Sequence, residues 1–207
     1  MATDTRDQAG TKSAPLPALR RGVWFALAFV MLWGGLRLKA QDAPPLENQV
    51  KAAFLVKFAL FVEWPAAATN TAASEPFTIG ILGSDPFGKN FDDAIKGEKI
   101  NGRPVRLRRG RELADLADCP EIFICASESK RMAGLLRGLE GKPVLTVSDG
   151  VTFAKSGGMI GFIKEGGKLR FEINAAAAER AGLKLSAKLL QVAKNVAGCP
   201  THPGEQK

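Results

Sequence analysis

The stretch that most invites chemistry is Gly83-Ser-Asp-Pro-Phe-Gly-Lys-Asn90, which follows an apolar run and matches the phosphate-loop pattern up to its last position. There Asn90 stands where a Ser or Thr hydroxyl would bind magnesium. Asp85 puts a negative charge where phosphates must sit, and Pro86 removes a backbone N–H from the cradle. The pattern therefore predicts a tight strand-to-helix turn and not a nucleotide site. The carboxylate pairs Asp92-Asp93 and Asp115/Asp118 fall on predicted surface helices or loops, without apolar surroundings to raise a pKa. Ser127, Ser129, Ser148 and Ser186 stand in no Gly-x-Ser-x-Gly elbow. The single histidine, His202, lies in the C-terminal tail, so a histidine-based triad or a metal site in the core is excluded. No catalytic residue, metal or cofactor is expected, and the chain reads as a non-enzyme.

Two features suit binding rather than catalysis. In Lys168-Leu-Arg-Phe-Glu-Ile-Asn174, read as a strand, Leu169, Phe171 and Ile173 share one face, and Lys168, Arg170, Glu172 and Asn174 the other. Arg170, Glu172 and Asn174 are thus candidates for receiving a ligand or a partner, against the plainer reading of an amphipathic hairpin. Trp64 ends an aromatic-rich helix whose Phe54, Phe58 and Phe61 read as core, and it is a candidate interface anchor. The three cysteines are too few for a disulfide scaffold. Cys119 and Cys125 flank a predicted strand that holds them about 20 Å apart at ~3.3 Å per residue, far beyond the ~6 Å of a bridge. They cannot pair with each other, and Cys199 is open to either.

These residues need elements to position them. Helical spacing of Val50, Phe54, Phe58, Phe61 and Val62 predicts a helix over 46–64, with Glu47 and Lys51 paired on another face and Pro65 ending it. Residues 66–75 read as a loop. An alternation follows: strand 77–82, helix 87–95 capped from Ser84 or Asp85, strand 104–109, a helical turn at 112–117, strand 121–125, helix 128–139 capped by Ser127, and strand 143–147. After a turn at 148–154, residues 159–164 and 168–173 form a hairpin about Glu165-Gly-Gly167, and helices at 175–181 and 185–196 close the domain. Strand–helix alternation predicts an α/β three-layer domain: a mainly parallel sheet, helices on both faces, and an antiparallel edge hairpin.

The chain has 207 residues and a formal charge of +8. Its first forty resemble an address. Arg20-Arg21 precede fifteen uncharged, mostly apolar residues ending at Leu36, and Arg37 and Lys39 close the run. As a helix that run spans only about 22 Å, short of a ~30 Å hydrocarbon core. Residues 1–40 are therefore expected to be a secretory signal cleaved after Ala40, leaving a domain at 41–197 and a flexible tail at 198–207. The forty carry six Lys/Arg and two Asp/Glu, so the exported chain falls to +4. The arginines of Arg103–Arg111 alternate faces in a strand and read as a solvated edge, not a nucleic-acid stripe.

Several blocks, taken in order, resemble the YfiR family of bacterial periplasmic proteins. They are Val50-Lys-Ala-Ala-Phe-Leu-Val-Lys-Phe-Ala-Leu-Phe-Val-Glu-Trp-Pro65, Ile81-Leu-Gly-Ser-Asp-Pro-Phe-Gly88, Gly102-Arg-Pro-Val105 and Cys119-Pro-Glu-Ile-Phe-Ile124. Pro143–Asp149, Gly157–Ile160, Arg170–Asn174 and Ala181–Leu190 complete the set, which covers residues 46–197. The resemblance implies a periplasmic repressor that binds the periplasmic sensor domain of an inner-membrane diguanylate cyclase and lowers cyclic-di-GMP and biofilm formation. It also implies tuning by redox state and by homodimerisation, and it strengthens Arg170, Glu172 and Asn174 as a binding surface. The other function class in view is a small-molecule-binding module that feeds a membrane sensor kinase. One departure matters: family members often carry a cysteine in the strand before the Leu-Gly-Ser-Asp turn, able to pair with the equivalent of Cys119, whereas this strand reads Phe-Thr-Ile-Gly-Ile-Leu. A bridge here, such as Cys119–Cys199, must use Cys199 or join two chains.

Overall fold

Three short apolar runs fix the middle of the sheet. Phe77–Leu82 (β2), Glu121–Ile124 (β5) and the first four residues of Leu145–Asp149 (β6) are buried at every position, as parallel strands covered on both faces must be. A computed structural model describes residues 46–65 and 75–198, so the expected signal segment, Cys199 and His202 lie outside the described residues.

Helix α1 spans Leu46–Leu60, β1 Val62–Glu63, α2 Lys89–Ala94, β3 Lys99–Ile100 and β4 Arg103–Gly110. Helix α3 is Met132–Leu139, β7 Ile160–Glu165 and β8 Lys168–Asn174. Helix α4 is Ala175–Arg180, β9 Lys184–Leu185, α5 Ala187–Val192 and β10 Asn195–Ala197. The main sheet runs β10-β8-β7-β6-β5-β2-β4-β3, and β1 and β9 form a separate antiparallel pair. Only β7/β8 and β3/β4 are antiparallel within the main sheet; its other pairs are parallel. This is the expected mainly parallel α/β sheet, with the hairpin at one end and the three-residue β10 added beyond it.

One core lies beneath α1 and includes Leu55, Phe58, Ile79, Phe123 and Ile173. A second, under α3, includes Leu82, Ile122, Ile124, Leu135 and Leu139. Alternate residues of β5 serve the two cores, as strand geometry requires.

The differences from the sequence reading have local causes. The first helix stops at Leu60 because Val62 and Glu63 pair with Leu185 and Lys184. The expected last helix breaks into β9, α5 and β10, since Ser186 caps α5 by accepting the Leu189 N–H and Ala193 turns extended. Helix α3 begins only at Met132, after a 3-10 turn over Ala126–Arg131, and Ser127 does not cap it.

Candidate functional site

Each motif that suggested chemistry is spent on structure. Gly83 adopts φ +98°, and a Cβ there would come within 2.5 Å of Ser127 Oγ and Glu128 Oε1. The Ser84 N–H donates to Ser127 Oγ at 3.0 Å. Asp85 Oδ1 accepts the Phe87 N–H at 2.7 Å while Oδ2 pairs with Arg109 Nε at 2.7 Å. Phe87 is buried against Phe91 and Phe123. The chain leaves β2 toward β4 on one side and returns to β5 on the other, so this turn sits at the switch point where open α/β sheets hold ligands. Here that crevice, of about 430 Å³, is lined by Gly83, Ser84 and charges that pair with one another: Arg131 bonds both Glu112 oxygens at 2.9 and 3.1 Å and Glu128 Oε2 at 2.5 Å.

The acidic pairs are equally committed. Asp92 bonds Arg109, whose guanidinium holds that carboxyl below its usual range. Asp93 pairs with Lys96. Asp115 accepts the Arg111 and Glu112 N–H groups, and those two bonds lower its pKa. Among the described residues no cluster of His, Cys, Asp or Glu suits a metal. Of the basic run, Arg109 is paired with Asp85 and Asp92, and Arg103 donates to the Glu75 and Pro76 carbonyls; Arg106 is exposed.

Cys119 and Cys125 are buried free thiols in opposite cores, and burial lifts their pKa values to about 11 and about 12. Both are therefore protonated and unreactive at neutral pH. In the strand before the Leu-Gly-Ser-Asp turn, Gly80 faces Cys119: a Cβ there would lie 3.2 Å from Cys119 Cβ.

The polar row of β8 is divided. Arg170 is exposed and lacks a partner among the described residues. Glu172 is buried beneath β10 and accepts from Asn195 Nδ2 at 2.6 Å. Asn174 caps α4 through the Ala177 N–H at 3.0 Å and donates to the Ala154 carbonyl at 2.8 Å. Trp64 is half-buried, edge-on to Phe77, with its indole N–H on the Pro120 carbonyl at 3.3 Å. It packs on the α1-side core, while the row lies on the opposite face of β8, so the structure does not bring Trp64 and the row together.

What the structure does assemble is an apolar groove between α1 and α5, of about 340 Å³. Phe58 and Phe171 form its floor, edge to face at 5.0 Å. Phe54, Phe61, Leu189 and Val192 wall it, and Lys57 and Lys188 stand on its two sides. The backbone locks the walls, since the Ser186 N–H donates to the Phe61 carbonyl at 2.9 Å. Phe61 and Val192 remain 37% and 62% exposed, and Leu60 beside them 42%. Phe61, expected in the core with Phe54 and Phe58, is instead partly open to solvent. The signal that marks the groove is the apolar character of α1 all round, more than one core face can absorb.

The expected Glu47–Lys51 pair forms, at 2.7 Å, but two buried ionic features were not expected. Lys51 is buried and also reaches Asp149 Oδ1 at 2.9 Å, which ties α1 to the end of β6. Glu121 is wholly buried with both carboxyl oxygens unbonded, and burial alone raises its pKa well above 4.5.

Comparison with known proteins follows this geometry. The sequence model of the family described as YfiR/HmsC-like matches residues 48–194. Among solved structures, the ABC domain in complex with L-Trp from Streptococcus pneumonia is similar at a TM-score of 0.48 and 12% identity, over 70% of this chain and 60% of that one. The chain thus matches less than two thirds of that structure's length.

Proposed function

The chain belongs to the YfiR/HmsC-like family, matched over residues 48–194, and on that premise we propose that it represses an inner-membrane diguanylate cyclase. The family is one of periplasmic regulators of cyclic-di-GMP signalling. In this reading the exported chain binds the cyclase's periplasmic sensor domain and holds it inactive, lowering cyclic-di-GMP and with it biofilm formation. It performs no chemistry of its own. The family match carries the proposal, and the pairing of Asp85, Asp92 and Asp115 with neighbouring donors agrees with it.

The physical mechanism is a population shift. A repressor that binds the inactive sensor better than the active one moves the equilibrium by its differential affinity, about 1.4 kcal/mol for each tenfold change. A rigid binder suits that task, because little affinity is lost to ordering it. Of the β8 row, Lys168 and Arg170 are the exposed members left for a partner, and a homodimer is the proposed resting form. Deleting the gene in cells expressing the cognate cyclase is expected to raise cyclic-di-GMP. An unchanged level contradicts the proposal.

A further inference from the structure

The groove between α1 and α5 leaves apolar side chains open to solvent, Phe61 and Val192 among them. Its floor and walls are apolar, and among the described residues no acidic side chain lines it. Its two charges are both cationic, Lys57 on α1 and Lys188 on α5, each exposed. We infer that this groove receives an apolar segment of the partner protein whose flanks carry Asp or Glu. The inference rests on the repressor reading above and names the chemistry of the surface that reading requires.

Charge selects this occupant from three others. The chain's own apolar run at 22–36 is bounded by Arg20, Arg21, Arg37 and Lys39, so docking it here sets cations against Lys57 and Lys188. A second copy joined groove to groove about a two-fold axis brings the same lysines face to face. A lipid surface tolerates the lysines, but a bilayer is best met by a convex or flat apolar face, and this one is concave with its aromatic rings at the bottom. A helix seated between two helices, with two or three apolar side chains at i, i+3/i+4 and i+7, fits both the shape and the charge. Acidic flanks then speed encounter and set the register, while the buried side chains supply affinity.

The test uses a synthetic 16-residue amphipathic helix with leucines at that spacing and glutamates flanking them, and an isomer with lysines in place of the glutamates. Fluorescence anisotropy with the exported chain is expected to show the glutamate peptide binding at least tenfold more tightly. The double variant Lys57→Glu/Lys188→Glu reverses that order, and Phe61→Ser/Val192→Ser weakens both peptides at least tenfold with the near-UV circular dichroism unchanged. Equal binding of the two peptides, or an order untouched by the charge reversal, overturns the inference. So does co-sedimentation with phosphatidylglycerol vesicles that Lys57→Glu/Lys188→Glu abolishes, or a dimer in sedimentation velocity that Phe61→Ser dissolves. Cells separate the two levels of the argument. If deletion raises cyclic-di-GMP but the charge-reversed chain restores it fully, the groove is wrong and the repressor stands. If deletion changes nothing, the repressor reading itself falls.

Discussion

Two concave regions of this molecule have opposite fates. The crevice at the switch point of the sheet, between the Gly83–Gly88 turn and the turn after β5, is lined by polar groups already paired with one another: Ser127 takes the Ser84 N–H, and Arg131 holds Glu112 and Glu128. The groove between α1 and α5 is left apolar, with Phe61 and Val192 facing solvent. An open α/β sheet ordinarily keeps the first kind of place for a small ligand. Here the charges that line it are paired with one another, and the unsatisfied surface lies on a helix face, where another apolar surface satisfies it. The proposed regulation by contact would use the second region and not the first.

The groove's floor and rim should separate most sharply on mutation. Phe58→Ala empties a wholly buried ring and should cost about 3–5 kcal/mol in urea unfolding, whereas Phe61→Ser, at the rim, should cost under ~1 kcal/mol and lose repression. A large loss from Phe61→Ser would make the rim part of the core and erase the distinction.

The polar side can be probed by a cross-link. Gly80→Cys places a Cβ 3.2 Å from Cys119 Cβ and from Leu116 Cδ1, inside the ~3.5 Å lower bound of a bridge. Air oxidation should therefore close one only with a small shift of Leu116 and should gain less than the ~2–4 kcal/mol of an unstrained bridge, seen as a reducible loss of a titratable thiol. At the crevice itself, Gly83→Ala must both hold φ +98° and displace Ser127 and Glu128, and should cost about 1–3 kcal/mol by thermal unfolding. A neutral Gly83→Ala would mean that the turn and the Ser127–Glu128 segment shift freely to admit the methyl group.

The smallest effect is a pH slope. Burial keeps Glu121 protonated in the fold, with a pKa well above the ordinary 4.5. A raised folded-state pKa means that this group's contribution to stability is complete below about pH 4.5 and is lost as pH rises toward the folded value, at up to about 1.4 kcal/mol per pH unit. Asp92 and Asp115, whose pKa values are lowered, act in the opposite sense and lose their contribution as pH falls below the ordinary carboxylate range. Glu121→Gln should therefore flatten the decline above about pH 4.5 in urea midpoints while leaving the acid limb unchanged. A decline that persists in the variant would show that another group causes it.

Much of the fold was legible because it rests on local pattern. The apolar runs at 77–82, 121–124 and 145–149 and the turn glycines Gly166 and Gly167 specify central strands and a hairpin without help from distant residues. The last segment was not legible, because α5 and β10 depend on Ser186 as a cap and on β8 as a template, and helical spacing alone joins them. The candidate site was read least well. Glu172 and Asn174 look like a ligand row in an isolated strand, yet β10 covers one and α4 consumes the other. Lys51 reads as a partner of Glu47 alone until the fold brings Asp149 to it. The groove itself had one legible sign, the surplus of apolar residues on α1, which periodicity assigned to the core.

The central claim is that this chain acts on its partner by binding outside the membrane. Membrane vesicles carrying the full-length cyclase, with its periplasmic domain exposed to the chain and GTP supplied to the catalytic side, test it most directly. Cyclic-di-GMP synthesis should fall as the wild-type chain is titrated to stoichiometry and should not fall with Phe61→Ser/Val192→Ser. Synthesis that continues unchanged while the wild-type chain is bound contradicts the account.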